Sequence, residues 1–464
     1  MPDAESKADN KKRGLSKGPA LLRRLLLSVP LLVLSCLPYT LGIVEDPILN
    51  PFYLVALVIA LLIVCIQPQK QRAVVRMSIL FFVGIVTLAL ADLVLRPVLR
   101  ERLHYRAHEM FAESHPDYPA LPRYTPNRYF RGTEFGDLAA ASGNASVRVE
   151  RKVEFETDAA GFRNRRQART NPIDTLVIGD SFGVGVGVSQ DETWSELLRT
   201  HYGQKVYNLS YPGSPWRGLM RLTLELDQLE LAQKTTVIWA FFVGNDLHES
   251  YLETMHGKAL PKTDLREHWR IRWATFRSRS PIQKMWRNLV ATPNRSHLGE
   301  RVLFRTFLDD SPILFHRDYL EAAKMTRSDI TNHYHFPLLE ETYKTAADVA
   351  KQHNLQIKLV VVPTKAQIYS WLLDGNTPWS TPTKESPITE ILREMAEELG
   401  FDFLDLAPDF INESKRLFEE EGQLLWWRDD THWNPQGNRY AAERIHEAFW
   451  QVSPNQASRK GNHD

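Results

Sequence analysis

Asp174-Thr175-Leu176-Val177-Ile178-Gly179-Asp180-Ser181-Phe182-Gly183 is the stretch on which the reading of the fold turns. A short, largely apolar run stopped by a glycine turn predicts a buried strand, and residues 194–200 beyond it have helical spacing. Further strand-like runs fall at 205–209, 235–243, 357–362 and 401–406, with helix-period segments at 219–231, 338–352 and 388–399 between them. Strands and helices alternating in this way build crossover units and a mostly parallel sheet covered on both faces. Ser181 then stands where a strand hands over to a helix, a turn that exposes a hydroxyl above the sheet near amides able to stabilise developing negative charge. Taken alone, these small residues read equally as an ordinary turn. Gly183, Gly185 and Gly187 superficially suggest a phosphate-cradling loop, but the spacing is wrong and no Lys-Ser/Thr follows.

Upstream of this stretch the chemistry is different. The chain has 464 residues and a net charge of +1, which argues against a polybasic nucleic-acid binder. Three long apolar runs, 25–44, 48–66 and 77–95, occupy the first hundred residues, and the first is about twenty residues long, enough for a helix to cross about 30 Å of hydrocarbon. Basic residues cluster before the first run (Lys11, Lys12, Arg13, Lys17, Arg23, Arg24) and between the second and third (Lys70, Arg72, Arg76), which places both segments in the cytoplasm. Three crossings put everything after Arg96 outside, although Arg96, Arg100, Arg102 and Arg106 cut against that orientation. Asp92 reads as an interfacial residue at the outer end of the third run rather than as a proton relay. Both cysteines, Cys36 and Cys65, lie within the apolar runs, so the exported part has no disulfide framework.

The expected organisation is a basic cytoplasmic tail (1–24), a three-helix membrane anchor (25–96), a connector with a β-strand segment (97–172), an α/β domain (173–453) and a flexible tail (454–464). The connector alternates charged and apolar residues through 147–157, the pattern of a strand with one half-solvated face. An insertion at 247–336, dense in Arg, His, Trp and Phe, follows a strand's C-terminal end, where open α/β sheets build their sites. It reads as a lid or as decoration, and the sequence leaves both open. The protein is expected in the inner (plasma) membrane, with its α/β domain facing the periplasm or exterior.

Three further blocks accompany Ser181. Asn208-Leu209-Ser210-Tyr211-Pro212-Gly213 ends the second strand and offers an unshielded Gly213 amide; Gly244-Asn245-Asp246 ends the third, where the Asn245 amide suits an oxyanion. Near the C-terminus, Trp427-Arg428-Asp429-Asp430-Thr431-His432-Trp433 supplies a histidine with two carboxylates close upstream, and a base that takes a serine proton needs such a carboxylate to hold its ring. His333 and His335 lack accompanying acidic or thiol ligands, so no metal site is expected, and no cofactor.

In these four ordered blocks the sequence resembles the SGNH/GDSL hydrolases, over roughly residues 174–448 with the insertion unmatched. The resemblance implies a flavodoxin-like three-layer α/β/α sandwich of about five parallel strands. It implies Ser181 as nucleophile, His432 as base, Asp429 as the orienting acid, and an oxyanion hole from the Ser181 and Gly213 amides with the Asn245 side chain. The Asp430-Thr431-His432-Trp433 wording is similar to alginate O-acetyltransferase-like members, whose acid sits two residues before the histidine, which keeps Asp430 as the alternative acid. Residues 155–163 and 362–365 look like segments of membrane-anchored bacterial members. Lys365 is then a candidate substrate contact or a surface lysine. Trp426, Trp427 and Trp433 either pack as core or, for Trp427 and Trp433, offer aromatic faces to a sugar. The expected activity is hydrolysis or transfer of O-acyl, notably O-acetyl, esters of an extracytoplasmic polysaccharide through an acyl-serine. The partners expected are an acylated glycan or another small ester, the membrane and, for a transferase, a multispanning acyl-donor protein. The competing class is a non-catalytic glycan-binding or polysaccharide-assembly protein that keeps the fold.

Overall fold

The computed structural model describes residues 83–84, 87, 90–96, 99, 106–115, 118, 121–142, 145–166, 172–249, 280–282, 303–308, 311–322, 324–373 and 386–451, with some single residues excepted. The two apolar runs at 25–44 and 48–66, most of the third, and the tail after 451 lie outside the described residues. Among the described residues no helix is long and apolar enough to cross a membrane. The chain divides into two compact units, 1–103 with 116–120 and 261–287, and 104–115 with 121–260 and 288–464. In the first unit Asp92 is buried, paired with Arg96 at 2.9 Å and accepting hydrogen bonds from Ser280 Oγ at 2.6 Å and the Ile282 amide at 3.2 Å.

The second unit opens with two antiparallel hairpins, β1 (Ala112–Ser114) with β2 (Pro122–Tyr124) and β3 (Tyr129–Glu134) with β4 (Arg151–Glu156). The central sheet follows: β5 (Ile173–Ile178), β6 (Val206–Asn208) and β7 (Leu231–Phe242) come before another hairpin, β8 (Leu303–Leu308) with β9 (Ser311–His316), and β10 (Leu355–Val362) and β11 (Asp402–Asp405) come after it. The sheet runs β11-β10-β7-β5-β6 with every pairing parallel, the doubly wound order in which the chain reverses direction between β5 and β7. Ligands of such sheets bind beyond the carboxyl ends of the strands at that reversal.

Alternation along the strands builds both cores. Leu176, Ile178, Val237, Trp239, Phe241, Leu359 and Val361 face one layer, shared with helices Pro215–Leu226, Phe336–Gln352 and Pro387–Leu399. Val177, Ile238, Ala240, Phe242, Val360 and Val362 face the other, with helices Trp194–His201, Ala407–Glu421 and Pro435–Trp450. A strand buried on both faces reads as a continuous apolar run, as β7 and β10 do. The three-layer α/β/α sandwich with five parallel strands is therefore present. The insertion, which shows no strand–helix alternation in sequence, contributes the β8–β9 hairpin.

Candidate active site

Ser181 begins a single helical turn, Ser181–Val184, directly after β5, with the Asp180 carboxylate capping it by accepting the Phe182 amide at 2.8 Å. Gly183 is required by the close approach of β6, because a Cβ there would collide with Ser210. Buried Arg163 braces the following loop, donating to the carbonyls of Val188 at 2.7 Å and Val184 at 3.3 Å. Residues 155–163 thus hold the nucleophile turn from behind.

His432 arrives from the opposite end of the chain, in the loop that enters helix Pro435–Trp450, whose start is fixed by the Asn434 side chain accepting the Gly437 amide at 3.0 Å and by Pro435 in the first turn. Its Nε2 lies 2.8 Å from Ser181 Oγ. Its Nδ1 lies 2.8 Å from Asp430 Oδ1, and the backbone amide of His432 donates to the same oxygen at 3.1 Å. That second bond is the reason the acid is Asp430: an aspartate that accepts the amide two residues on bends the loop so that its carboxylate faces the ring. The expectation that Asp429 holds the histidine is corrected here. The Asp429 carboxylate turns away, accepting the Gly136 amide at 2.7 Å, the Val149 amide at 2.9 Å and Arg151 Nη1 at 3.2 Å.

Asp430 has no exposed surface. Burial alone would push its carboxyl up, but the guanidiniums of Arg106 and Arg151, both bonded to Oδ2, hold it well below the usual carboxylate range, with His432 adding to the effect. One oxygen of the acid thus serves the base and the other the two arginines. Arg151 also donates to the Gly187 carbonyl at 3.1 Å and lies 4.6 Å over the Trp427 ring. Asp137 accepts the Thr431 amide at 2.9 Å and lies 3.8 Å from His432 Nδ1. Asp137, Asp430 and His432 bring ligand atoms within 4.8 Å of one another, yet hydrogen bonds to Ser181, Thr431 and the two arginines already engage them. Arg106, Arg151 and Asp137 were missed in the sequence. For Arg151 a signal existed, since along β4 it is in phase with Val153 and Phe155, on the face that becomes buried.

The other candidates separate. Lys365 is neither a surface lysine nor a substrate contact: it is 4% exposed, and its ammonium donates to the carbonyls of Leu314 (2.9 Å), Trp427 (2.7 Å), Arg428 (3.1 Å) and Asp430 (3.1 Å). It ties the acid-bearing loop to the insertion hairpin, whose Leu314 amide also donates to the Arg428 carbonyl at 2.9 Å. Burial drives Lys365 down to about 7 against the pull of Asp430 and Asp429. Trp433 is not an aromatic face at a mouth but core, 2% exposed and packed on Phe182 at 4.9 Å and Phe410 at 5.3 Å. Trp427 is half-buried and spends its indole N–H on the Gly187 carbonyl at 3.1 Å.

Gly213 lies in the turn after β6 with φ 141°, a conformation only glycine adopts without strain, just before the helix-capping Ser214. Asn245 follows β7 at the sheet edge that carries Ser181, with its amide donating to Glu249 at 2.6 Å. Asp246 is buried and accepts the Phe242 amide at 2.8 Å; burial, then Asp180 and Glu249, push its carboxyl well up.

The fold and this relay point to an ester-acting class of α/β protein. Residues 325–462 match the family described as the SGNH hydrolase-like domain of acetyltransferase AlgX, a span that holds Asp430 and His432 but not Ser181. Over those residues the chain is similar to an SGNH hydrolase-like domain of the hydrolase and acetyltransferase type. No curated protein sequence matches it. Among solved structures, an acetyl xylan esterase, AlAXEase, aligns at 15% identity over 59% of this chain and 99% of its own, with TM-score 0.29. The Bacillus subtilis protein YXIM aligns at 12% identity over 73% of this chain and 76% of its own, with TM-score 0.31. Likenesses this loose carry no argument about the chemistry.

Proposed function

We propose that the protein is a membrane-anchored serine esterase or acetyltransferase acting outside the cytoplasm on O-acetyl esters of a polysaccharide. The observation that carries the reading is the relay itself, Ser181 Oγ to His432 Nε2 and His432 Nδ1 to Asp430, each at 2.8 Å. Ser181 Oγ attacks the ester carbonyl as its proton passes to His432 Nε2, while Asp430 supports the imidazolium without taking the proton. The oxyanion is held by the Ser181 and Gly213 amides and by the Asn245 N–H not given to Glu249, since a carboxamide has two. Collapse expels the alkoxide, which takes the proton from His432 and leaves acetyl-Ser181. Water or a sugar hydroxyl then gives its proton to His432 and attacks, restoring the serine. The three apolar runs with their basic flanks support the anchor and the outward orientation, and the alginate-acetyltransferase family match supports a polysaccharide ester. A transferase would take its acetyl group from an exported donor or a multispanning partner.

The test is incubation with an acetylated oligosaccharide, with and without an unacetylated oligosaccharide as acceptor. The reading predicts released acetate, or an acceptor heavier by one acetyl group. Neither product from any acetylated glycan, with both abolished sources of background controlled by Ser181→Ala, would contradict it.

A further inference from the structure

Asp137 opens the short helix Asp137–Ser142 of the connector, and its carboxylate is turned to Thr431, the residue between the acid and the base. One oxygen, Oδ1, accepts the amides of Leu138 at 2.7 Å and Thr431 at 2.9 Å. The other, Oδ2, accepts the Thr431 hydroxyl and lies 3.8 Å from His432 Nδ1. Thr431 is buried, and its Oγ1 is itself 3.2 Å from His432 Nδ1.

Donor and acceptor roles along this line follow from the relay. A base that takes the Ser181 proton at Nε2 carries its own hydrogen on Nδ1 in the neutral ring. That N–H then has two acceptors, Asp430 Oδ1 at 2.8 Å and Thr431 Oγ1 at 3.2 Å, and the hydroxyl hydrogen is left for Asp137. A hydroxyl that donates to a carboxylate is the better acceptor, because hydrogen bonds in a chain polarise one another. The second acceptor has a purpose: Asp430 gives its other oxygen to the guanidiniums of Arg106 and Arg151, which draw on the charge that supports the ring. Asp137 is held more loosely, with Arg106 Nη2 3.8 Å from its Oδ1.

We infer that Asp137 and Thr431 form a second arm of the relay, positioning residues that fix the His432 ring beside Asp430 and support its imidazolium as the serine proton arrives. The inference rests on the proposed roles of Ser181 and His432 and adds two residues to them. The same chemistry sets the effect of substitution. In Asp137→Asn the carboxamide oxygen stays with the two amides, which leaves its NH₂ against Thr431 Oγ1. The hydroxyl then turns its hydrogen toward His432 Nδ1–H, donor against donor. In Thr431→Val the shape and the amide bond to Asp137 remain, and only the hydroxyl is lost.

The experiment is a double-mutant cycle on the full-length protein, with kcat and KM for p-nitrophenyl acetate measured for Asp137→Asn, Thr431→Val and the two together. Each single change should lower kcat on the order of tenfold with KM unchanged, the worth of a hydrogen bond to a charged group. Because both residues belong to one arm, the double variant should be no more than about twofold worse than the poorer single one. Thr431→Ser, which keeps the hydroxyl, should recover most of the loss. The low-field proton resonance of His432 Nδ1–H, identified by its absence in His432→Gln, should move in Thr431→Val and in Asp137→Asn and return in Thr431→Ser. Single losses that multiply to about a hundredfold in the double variant, or a resonance that neither single change moves, overturn the inference and leave the proposed function standing. A wild type that cleaves no ester removes the proposed function instead, and the arm is then decided by the resonance alone.

Discussion

At the residue scale, the two adjacent aspartates have opposite duties. Asp430→Asn keeps the shape of the acid but presents His432 with the wrong hydrogen-bonding partner, and a fall of about ten-thousand-fold in kcat is expected, with a lower melting temperature because buried Arg106 and Arg151 lose their counter-charge. Asp429→Ala instead strands two backbone amides and an arginine, so it should cost about 3–5 kcal/mol of stability in denaturant unfolding. Spacing could not separate the two residues. What decides between them is the Asp430 side chain folding back onto the His432 amide, a local turn geometry that residue types alone do not reveal. Arg151 shows the converse: the alternation through 147–157 predicts a strand with one half-solvated face, and its phase sets the arginine with Val153 and Phe155 on the buried face.

The two arginines make a pH prediction. Asp430 is held far below its unfolded value of about 4, so it contributes stability that is present above that value and is lost as pH falls through the folded one. Arg151→Met weakens the hold, and acid unfolding followed by circular dichroism should move to higher pH. Lys365 gives a slope of the same sign in a higher pH window. Between about pH 7 and its unfolded value the unfolded chain keeps a proton that the folded chain releases, so stability rises with pH across that window. Lys365→Met should abolish that rise in urea unfolding compared at pH 7 and pH 9.

At the element scale, the positions of the sheet strands were the most legible part of the fold, because a parallel sheet covered on both faces writes itself as buried apolar runs separated by amphipathic helices. The insertion and the connector were not, since their strands are short hairpins that take their stability from what they pack on. Yet both reach the site: β9 bonds the Arg428 and Lys365 side of the acid loop through Leu314, while β4 and the chain before β1 send Arg151 and Arg106 to Asp430. Replacing residues 303–316 by a short Gly-Ser linker should therefore lower kcat on p-nitrophenyl acetate at least tenfold while the far-ultraviolet circular dichroism of the sheet and helices persists. An insertion that merely decorates the surface would leave kcat unchanged.

At the scale of the whole molecule, the relay depends on chain ends that are far apart in sequence. The acid and base lie near the C-terminus, the nucleophile follows the first strand of the sheet, and the arginines come from the segment before that sheet. The connector and the nucleophile loop even share a small core, in which Ala107, Met110, Phe111, Tyr124 and Phe155 meet Val184 and Val186. The segment that precedes the central sheet is thus part of the site. The central claim is that Ser181 is the acyl-accepting nucleophile of an ester-cleaving relay. Its most direct test is the rate of p-nitrophenyl acetate hydrolysis by the wild type and by Ser181→Ala, with the intact mass of each protein read after quenching. The account predicts a loss of at least a thousandfold in the variant and a single acetyl group on Ser181 of the wild type; equal rates, with no acetyl group on the serine, would contradict it.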